Sequence, residues 1–227
     1  MKPSALALAL FAPLAACGGA GSARLDGGAG SDVAQGADYY APPGYSLVPF
    51  RSAGGRHSFP AAEMVLEPGR DYLAVLDTTA GRIVLDLLEA QTPTTVNSFA
   101  FLALNHYFDG IAFHRVIEGF VAQGGDPNTL AADRGQWGTG GPGYRFGLEI
   151  VAQLKFNAAG VVGMARSMDP NSNGSQFFIT LGPAANLDGQ YTIFARVVEG
   201  QEALPRVARG MPPQTPTRMS RVWIVAR

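Results

Sequence analysis

The sequence is poor in the residues that most often carry chemistry. It has a single cysteine in 227 residues, which excludes an intramolecular disulfide, a cysteine zinc site and a Cys-x-x-Cys redox pair. Its three histidines stand far apart, at 57, 106 and 114, so neither a metal nor another cofactor is expected. Charge is scarce: 15% of residues are charged and the formal balance is −1. That leaves no electrostatic footprint for nucleic acid. No apolar run reaches the ~20 residues of a membrane-spanning helix. What is present in quantity is Gly 29 and Pro 16, with 47% hydrophobic residues. Such a chain is turn-rich, unlike a helical bundle or coiled coil, and has enough apolar material for a core. Its length suits one domain plus an extension, or two small domains.

The first seventeen residues read MKPSALALALFAPLAAC. Lys2 precedes an apolar stretch from Ala5 to Ala16, followed by the cysteine, which is the pattern of a secretory signal peptide. Leu14-Ala15-Ala16-Cys17 resembles the bacterial lipobox, in which the cysteine is lipidated and becomes the first mature residue. The competing reading is ordinary secretion with a cysteine there by chance. An unpaired thiol is otherwise a liability in an oxidising compartment, and several acyl chains anchor a protein stably where one does not. Gly18 stands where an inner-membrane retention signal would place Asp. The expectation is a lipid anchor on Cys17 at the periplasmic face of the outer membrane, or else a periplasmic protein.

Six glycines between residues 18 and 30 read as a flexible linker. Residues 39–68, with Pro42-Pro43, Tyr45, Phe50 and Phe59, form an irregular arm whose order the sequence leaves open. The expected division is therefore 1–17 signal, 18–69 tether and arm, and 70–227 domain. From Asp71 the pattern is dense. Tyr72–Thr79 and Arg82–Leu88 alternate around Ala80-Gly81, a hairpin signal. Thr92-Pro93 opens a helix, with Thr as N-cap and Pro at the first position. Val96, Phe99, Ala100, Ala103 and Leu104 give it one apolar stripe. Short apolar segments follow at Ile111–Phe113, Val116–Ala122, Gly160–Ala165, Gln176–Thr180, Tyr191–Val198 and Val222–Val225. A second helix is expected from Gly200 to about Ala208. Many short strands with two helices predict an all-β barrel or sandwich.

Three segments are odd for a plain β protein. In FHRVIEGFVAQGGD, residues 113–126, Arg115 and Gln123 sit inside an apolar, aromatic run. A buried arginine needs partners. One reading is a structural ion pair with Glu118 or Asp126; the other is an arginine at the rim of an apolar pocket, its plane fixed by Gln123. Gly138-Thr139-Gly140-Gly141 is a tight loop, and no Lys-Ser/Thr follows to make it a phosphate loop. In NGSQFFIT, residues 173–180, a polar turn feeds paired aromatics that strand alternation sends to opposite faces.

These segments, with GVVGMAR and LDGQYTIF, resemble the cyclophilin family of peptidyl-prolyl cis-trans isomerases from about Leu73 to Val225. The resemblance implies a closed eight-stranded antiparallel barrel capped by two α-helices. It implies that Arg115 is the catalytic arginine, supported by Gln123. Phe120, Val121, Phe178 and Leu187 would line the proline pocket, Ala165 and Arg166 would meet the peptide backbone, and Gly138, Thr139 and Gln176 would border the neighbouring subsite. Tyr191 stands where many members carry His. Val121 replaces the usual Met, Arg166 the usual Asn, and Asn186 the aromatic residue before Leu-Asp-Gly, which argues for weak cyclosporin binding.

The partners so implied are proline-containing segments of folding proteins, bound by a monomer. Rotation about X-Pro breaks no bond, so the absence of a Ser-His-Asp set does not count against catalysis. His114 is read as structural; His57 and His106 carry no assignment. A proline-peptide binding module or chaperone-like scaffold with little turnover is the alternative. A hydrolase is disfavoured because no Gly-x-Ser-x-Gly elbow is present.

Overall fold

A computed structural model describes residues 39–227; the signal-like segment, Cys17 and the glycine-rich linker lie outside the described residues. In chain order these contain β1 (Ser46–Leu47), β2 (Tyr72–Thr78), β3 (Gly81–Leu87), α1 (Pro93–Leu104), β4 (Arg115–Ile117), β5 (Val121–Gly124), β6 (Val161–Met164), β7 (Phe177–Thr180), β8 (Ile193–Glu199) and β9 (Met219–Ala226). The strands form one sheet in the order β1-β9-β2-β3-β8-β6-β7-β5-β4, every pair antiparallel.

The far end of that order returns to β9. Just ahead of β4, the Gly110 N–H donates to the Met219 carbonyl at 2.7 Å and the Phe113 N–H to the Thr217 carbonyl at 2.9 Å, while the Met219 N–H donates to the Ile111 carbonyl at 2.9 Å. Eight strands thus make a ring joined by an irregular seam, and β1 lies outside it as a ninth. Rings of phenylalanine fill the inside: Phe99 meets Phe108, Phe177 and Phe194 at centroid separations of 4.9, 5.5 and 5.3 Å, favourable aromatic spacings.

Of the two expected helices, one is α-helical. The segment expected as the second is a 3-10 helix over Gln201–Arg206 with Pro205 inside it. Pro205 has no N–H to close an α-turn onto Gln201, and its ring crowds the preceding turn.

The start of α1 also departs from expectation. Thr92 is the N-cap and Pro93 follows, but the Thr92 side chain makes no capping bond; its hydroxyl donates back to the Leu88 carbonyl at 3.3 Å. The free N–H groups of Thr94 and Thr95 instead donate to the Glu149 carboxylate at 3.1 and 2.7 Å, and the Thr95 hydroxyl reaches the same group at 2.6 Å. A remote carboxylate is a better cap than a hydroxyl, because it is ionised and faces the positive end of the helix.

The helix is also buried on more than one side: Thr95 through Leu104 are all inaccessible. The sheet covers the expected stripe, and residues 39–70 account for much of the rest. Phe59 packs edge-on against Phe101 at 4.9 Å. The Asn97 amide accepts from the Val65 N–H at 2.8 Å and donates to the Glu63 carbonyl at 3.0 Å. Earlier in the arm, β1 pairs with β9, and Tyr40, Tyr45, Leu47 and Phe50 cover an outer apolar patch made by Leu73, Val75, Val84, Trp223 and Val225.

Replacing Glu149 by Ala is expected to lower unfolding stability by about 1–2 kcal/mol, the usual cost of losing a helix cap. Urea denaturation followed by circular dichroism measures this; an unchanged midpoint would show that water satisfies the two amides equally well.

Candidate active site

The outward face of the sheet carries one row of neighbours across five strands. Arg115 on β4 faces Gln123 on β5, Gln123 faces Phe178 on β7, Phe178 faces Gly163 on β6, and Gly163 faces Ile193 on β8. Alternate residues along a strand project to opposite sides. The other parity, including Val116, Ala122, Phe177, Val162 and Phe194, therefore enters the main core. Val121, Val161, Phe178 and Ile193 join Phe156, Ala184 and Leu187 in a second apolar cluster on the outward face. The two phenylalanines of NGSQFFIT part in this way, one to each cluster.

Above that second cluster is a cavity of about 280 Å³ lined by Arg115, Phe120, Val121, Gln123, Ala165, Arg166, Phe178, Leu187 and Tyr191. Its floor is Phe178, which lies against Phe156 at 5.5 Å and meets the Tyr191 ring edge-on at 5.6 Å. Gly163 makes the floor possible: a Cβ there would stand 2.6 Å from Phe178 and 2.9 Å from Phe156. Leu187 enters from a 3-10 turn over Ala185–Leu187, and the carboxylate of the following Asp188 accepts from the Phe156 N–H at 2.8 Å. Asn186, on the same turn, is exposed and does not line the cavity.

The arginine at the rim of this pocket is half-buried and has no carboxylate partner among the described residues. Both acids that sequence suggested as partners are engaged elsewhere. Glu118 pairs with Arg209, whose hydrogen bond and charge lower the carboxyl pKa. Asp126 is fully buried and accepts from the backbone N–H groups of Gly138 and Asn128. Arg115 instead donates to the Gln123 side-chain oxygen at 3.4 Å. Gln123 donates to the Gln176 oxygen at 3.0 Å, and Gln176 donates to the Gly138 and Gly140 carbonyls at 3.0 and 2.9 Å. The amides thus orient the guanidinium without cancelling its charge.

A second cleft of about 490 Å³ adjoins the first and shares Gln123, Ala165 and Arg166 with it. Gly138, Thr139 and Gln176 border it, with the loop from Gly140 to Arg145 as its outer wall. Asp126 and Gln176 hold that loop from beneath, and only glycine fits at 140, where a Cβ would stand 2.2 Å from the Asp126 carboxylate. Every site residue expected from sequence within the described chain is therefore at one cavity or at both. His114, next to Arg115, is buried away from them. Burial lowers its pKa, so it is neutral at physiological pH, and its protonation as pH falls below the ordinary imidazole value favours the unfolded chain.

A family model described as "Cyclophilin type peptidyl-prolyl cis-trans isomerase/CLD" matches residues 73–225. The chain belongs to the cyclophilin family. Among its relatives, a peptidyl-prolyl cis-trans isomerase-like 1 of Rhizopus delemar is 44% identical over 133 residues, 59% of this chain and 78% of that protein. The peptidyl-prolyl cis-trans isomerase ppi1 of Schizosaccharomyces pombe is 45% identical over 132 residues, 58% of this chain and 82% of that one. A Cryptosporidium parvum cyclophilin type peptidyl-prolyl cis-trans isomerase, crystallised in the presence of the dipeptide Ala-Pro, superposes with a TM-score of 0.61 at 31% identity and covers 67% of this chain and 98% of that one. This cyclophilin is a peptidyl-prolyl cis-trans isomerase, and its substrates are proline-containing peptides.

Sequence reasoning missed several parts of the cyclophilin groove. Gly163 carried a readable signal, since an isolated glycine within a strand often marks a close approach. Phe156 carried none: it lies in an irregular segment 22 positions before Phe178. Asp126 was weighed as an ion partner, whereas its work is to pin the glycine loop.

Gly163→Ala is expected to push Phe178 and Phe156 upward into the pocket. The overpacking should cost about 1–3 kcal/mol of stability, and KM for a proline peptide should rise more than kcat falls. Steady-state kinetics beside a thermal melt check this; an unchanged KM in a destabilised protein would place the strain elsewhere.

Proposed function

We propose that this cyclophilin works by donating from Arg115 to a proline peptide held in the smaller cavity, and that it does so tethered by its amino terminus in a bacterial cell envelope. The observation that carries the catalytic part is an arginine at the rim of an apolar pocket, oriented by an amide and unpaired with any acid among the described residues.

The X-Pro bond rotates over a barrier of ~18–20 kcal/mol that comes from amide resonance. As the bond twists, resonance is lost and the prolyl nitrogen regains its lone pair. A donor that meets the nitrogen and the proline carbonyl binds the twisted state better than either planar one, which is the condition for acceleration. A guanidinium is planar, fork-shaped and always charged, so it donates without a proton shuttle. Phe120, Val121, Phe178 and Leu187 hold the pyrrolidine ring while the preceding carbonyl turns, and excluding water strengthens the arginine's interaction. Ala165 and Arg166 meet the backbone of the bound segment, Tyr191 closes the far wall, and Gly138, Thr139 and Gln176 shape the adjoining cleft.

The envelope part rests on the amino-terminal sequence: a short apolar segment ends in Leu14-Ala15-Ala16-Cys17, and the chain's one cysteine stands where a lipoprotein needs it. A lipid there would hold a monomeric isomerase beside proteins that fold after export, with the glycine-rich stretch as its tether.

Arg115→Ala is expected to keep the fold and lose on the order of 100-fold in kcat/KM. A protease-coupled proline isomerisation assay reads this, and near-wild-type rates in the variant would refute the role. Mass spectrometry of the mature protein from a bacterial host should find an acylated Cys17 as its first residue; a free thiol there would refute the anchor.

A further inference from the structure

The larger cleft has a charge character that the isomerisation itself does not require. Two arginines, Arg145 and Arg166, line it, and no carboxylate among the described residues does. Arg145 is exposed, and its guanidinium takes part in none of the ion pairs among the described residues. Arg166 is fixed without being neutralised: its Nε donates to the Gln190 carbonyl at 2.9 Å, one terminal nitrogen donates to the Ser167 carbonyl at 2.9 Å, and its plane lies over the Tyr191 ring at 5.0 Å. The acids nearest in sequence are engaged by backbone amides, Glu149 on Thr94 and Thr95 and Asp169 on Asn171 at 2.8 Å; Asp126, beneath the loop, accepts from Gly138 and Asn128.

The walls are built before any ligand arrives. Asp126 and Gln176 hold one side of the glycine loop. On the other side the arm and α1 reach it: the Phe59 N–H of the arm donates to the Pro142 carbonyl at 2.8 Å, and Ser98 of α1 pairs with the Tyr144 hydroxyl at 2.7 Å. A preformed cleft spares the binding free energy otherwise spent on ordering it. Because both cavities share Gln123, Ala165 and Arg166, an extended peptide with its proline in one must lay a nearby residue along the other. Each residue advances the chain ~3.3 Å.

We propose that Arg145 and Arg166 make this cleft a reader of acidic side chains, so that the preferred substrates are X-Pro segments with Asp or Glu close to the proline. The proposal rests on the isomerase reading of the adjoining pocket. A carboxylate entering the cleft meets two uncompensated cations. An amide of the same shape gains only hydrogen bonds, and a lysine is repelled.

The test measures isomerisation of single-proline peptides by NMR exchange spectroscopy, with the full chain as catalyst. One residue is Glu, Gln or Lys, scanned over three positions on either side of the X-Pro pair. At one of these positions the Glu peptide should exceed the Gln peptide roughly fivefold in kcat/KM, with the Lys peptide lowest. The advantage should shrink in about 0.5 M salt. Arg145→Glu should invert the order in favour of Lys, a gain that misfolding does not produce; should that variant fail to fold, Arg145→Gln should flatten the ratio. Equal rates for all three peptides at every position would overturn the proposal and leave the isomerase reading intact, as would a Glu advantage that persists undiminished in both Arg145→Gln and Arg166→Gln. Acceleration of no peptide at all would overturn both.

Discussion

An arginine that pairs with no acid among the described residues is the condition on which the groove depends. A carboxylate against Arg115 would hold the guanidinium firmly but spend its charge. Gln123 holds it with a neutral oxygen instead. That choice passes the problem along, because an amide can flip. Gln176 settles the orientation of Gln123 by accepting from its nitrogen, and two backbone carbonyls settle Gln176 in turn. Those carbonyls belong to a glycine loop pinned by a buried Asp126. The negative charge that balances this part of the protein thus sits beneath the loop, while the cation at the rim stays available. Networks of this kind act as a unit.

The second constraint is that one strand face must be apolar for two different reasons. The inward residues of the ring make the core that holds the fold. The outward residues would normally be polar, yet beside Gln123 those of β5, β6, β7 and β8 include Val121, Val161, Gly163, Phe178 and Ile193. That patch is the floor of the proline pocket. A comparable outward patch on β2, β3 and β9 is covered by the arm through Tyr40, Tyr45, Leu47 and Phe50. The protein thus has two apolar outer faces, closes one with its own chain and leaves the other open to a ligand. Further along, the arm touches the loop that walls the larger cleft, so a segment outside the family match helps shape the groove.

Much of this was readable in advance. The hairpin of β2 and β3, the helix start at Thr92-Pro93 and the short strands all followed from local rules: alternation, capping preference and turn chemistry. The residues that line the two cavities were singled out in advance because they lie in short contiguous motifs whose spacing matches the family. Two failures came from residues remote in sequence and one from a local signal. Thr92 was expected to cap α1 from beside it, but a carboxylate 57 positions downstream does so. The helix was expected to show one apolar stripe, but Phe101 and Leu102, off that stripe, are buried as well. The segment after Gly200 was expected to be an α-helix, although the proline within it was visible.

By itself the sequence determined the hairpin of β2 and β3, the start of α1, and the short apolar segments that carry most of the remaining strands. Those properties depend on neighbours two to four positions apart. Only the tertiary structure decided that Glu118 and Asp126 leave Arg115 alone, that Gly163 yields its space to Phe178 and Phe156, and that two arginines share a cleft lined by no acid among the described residues. Each of these depends on residues further apart in the chain than such local rules reach. Strand register brings those residues together, and register is a property of the whole ring rather than of any segment in it.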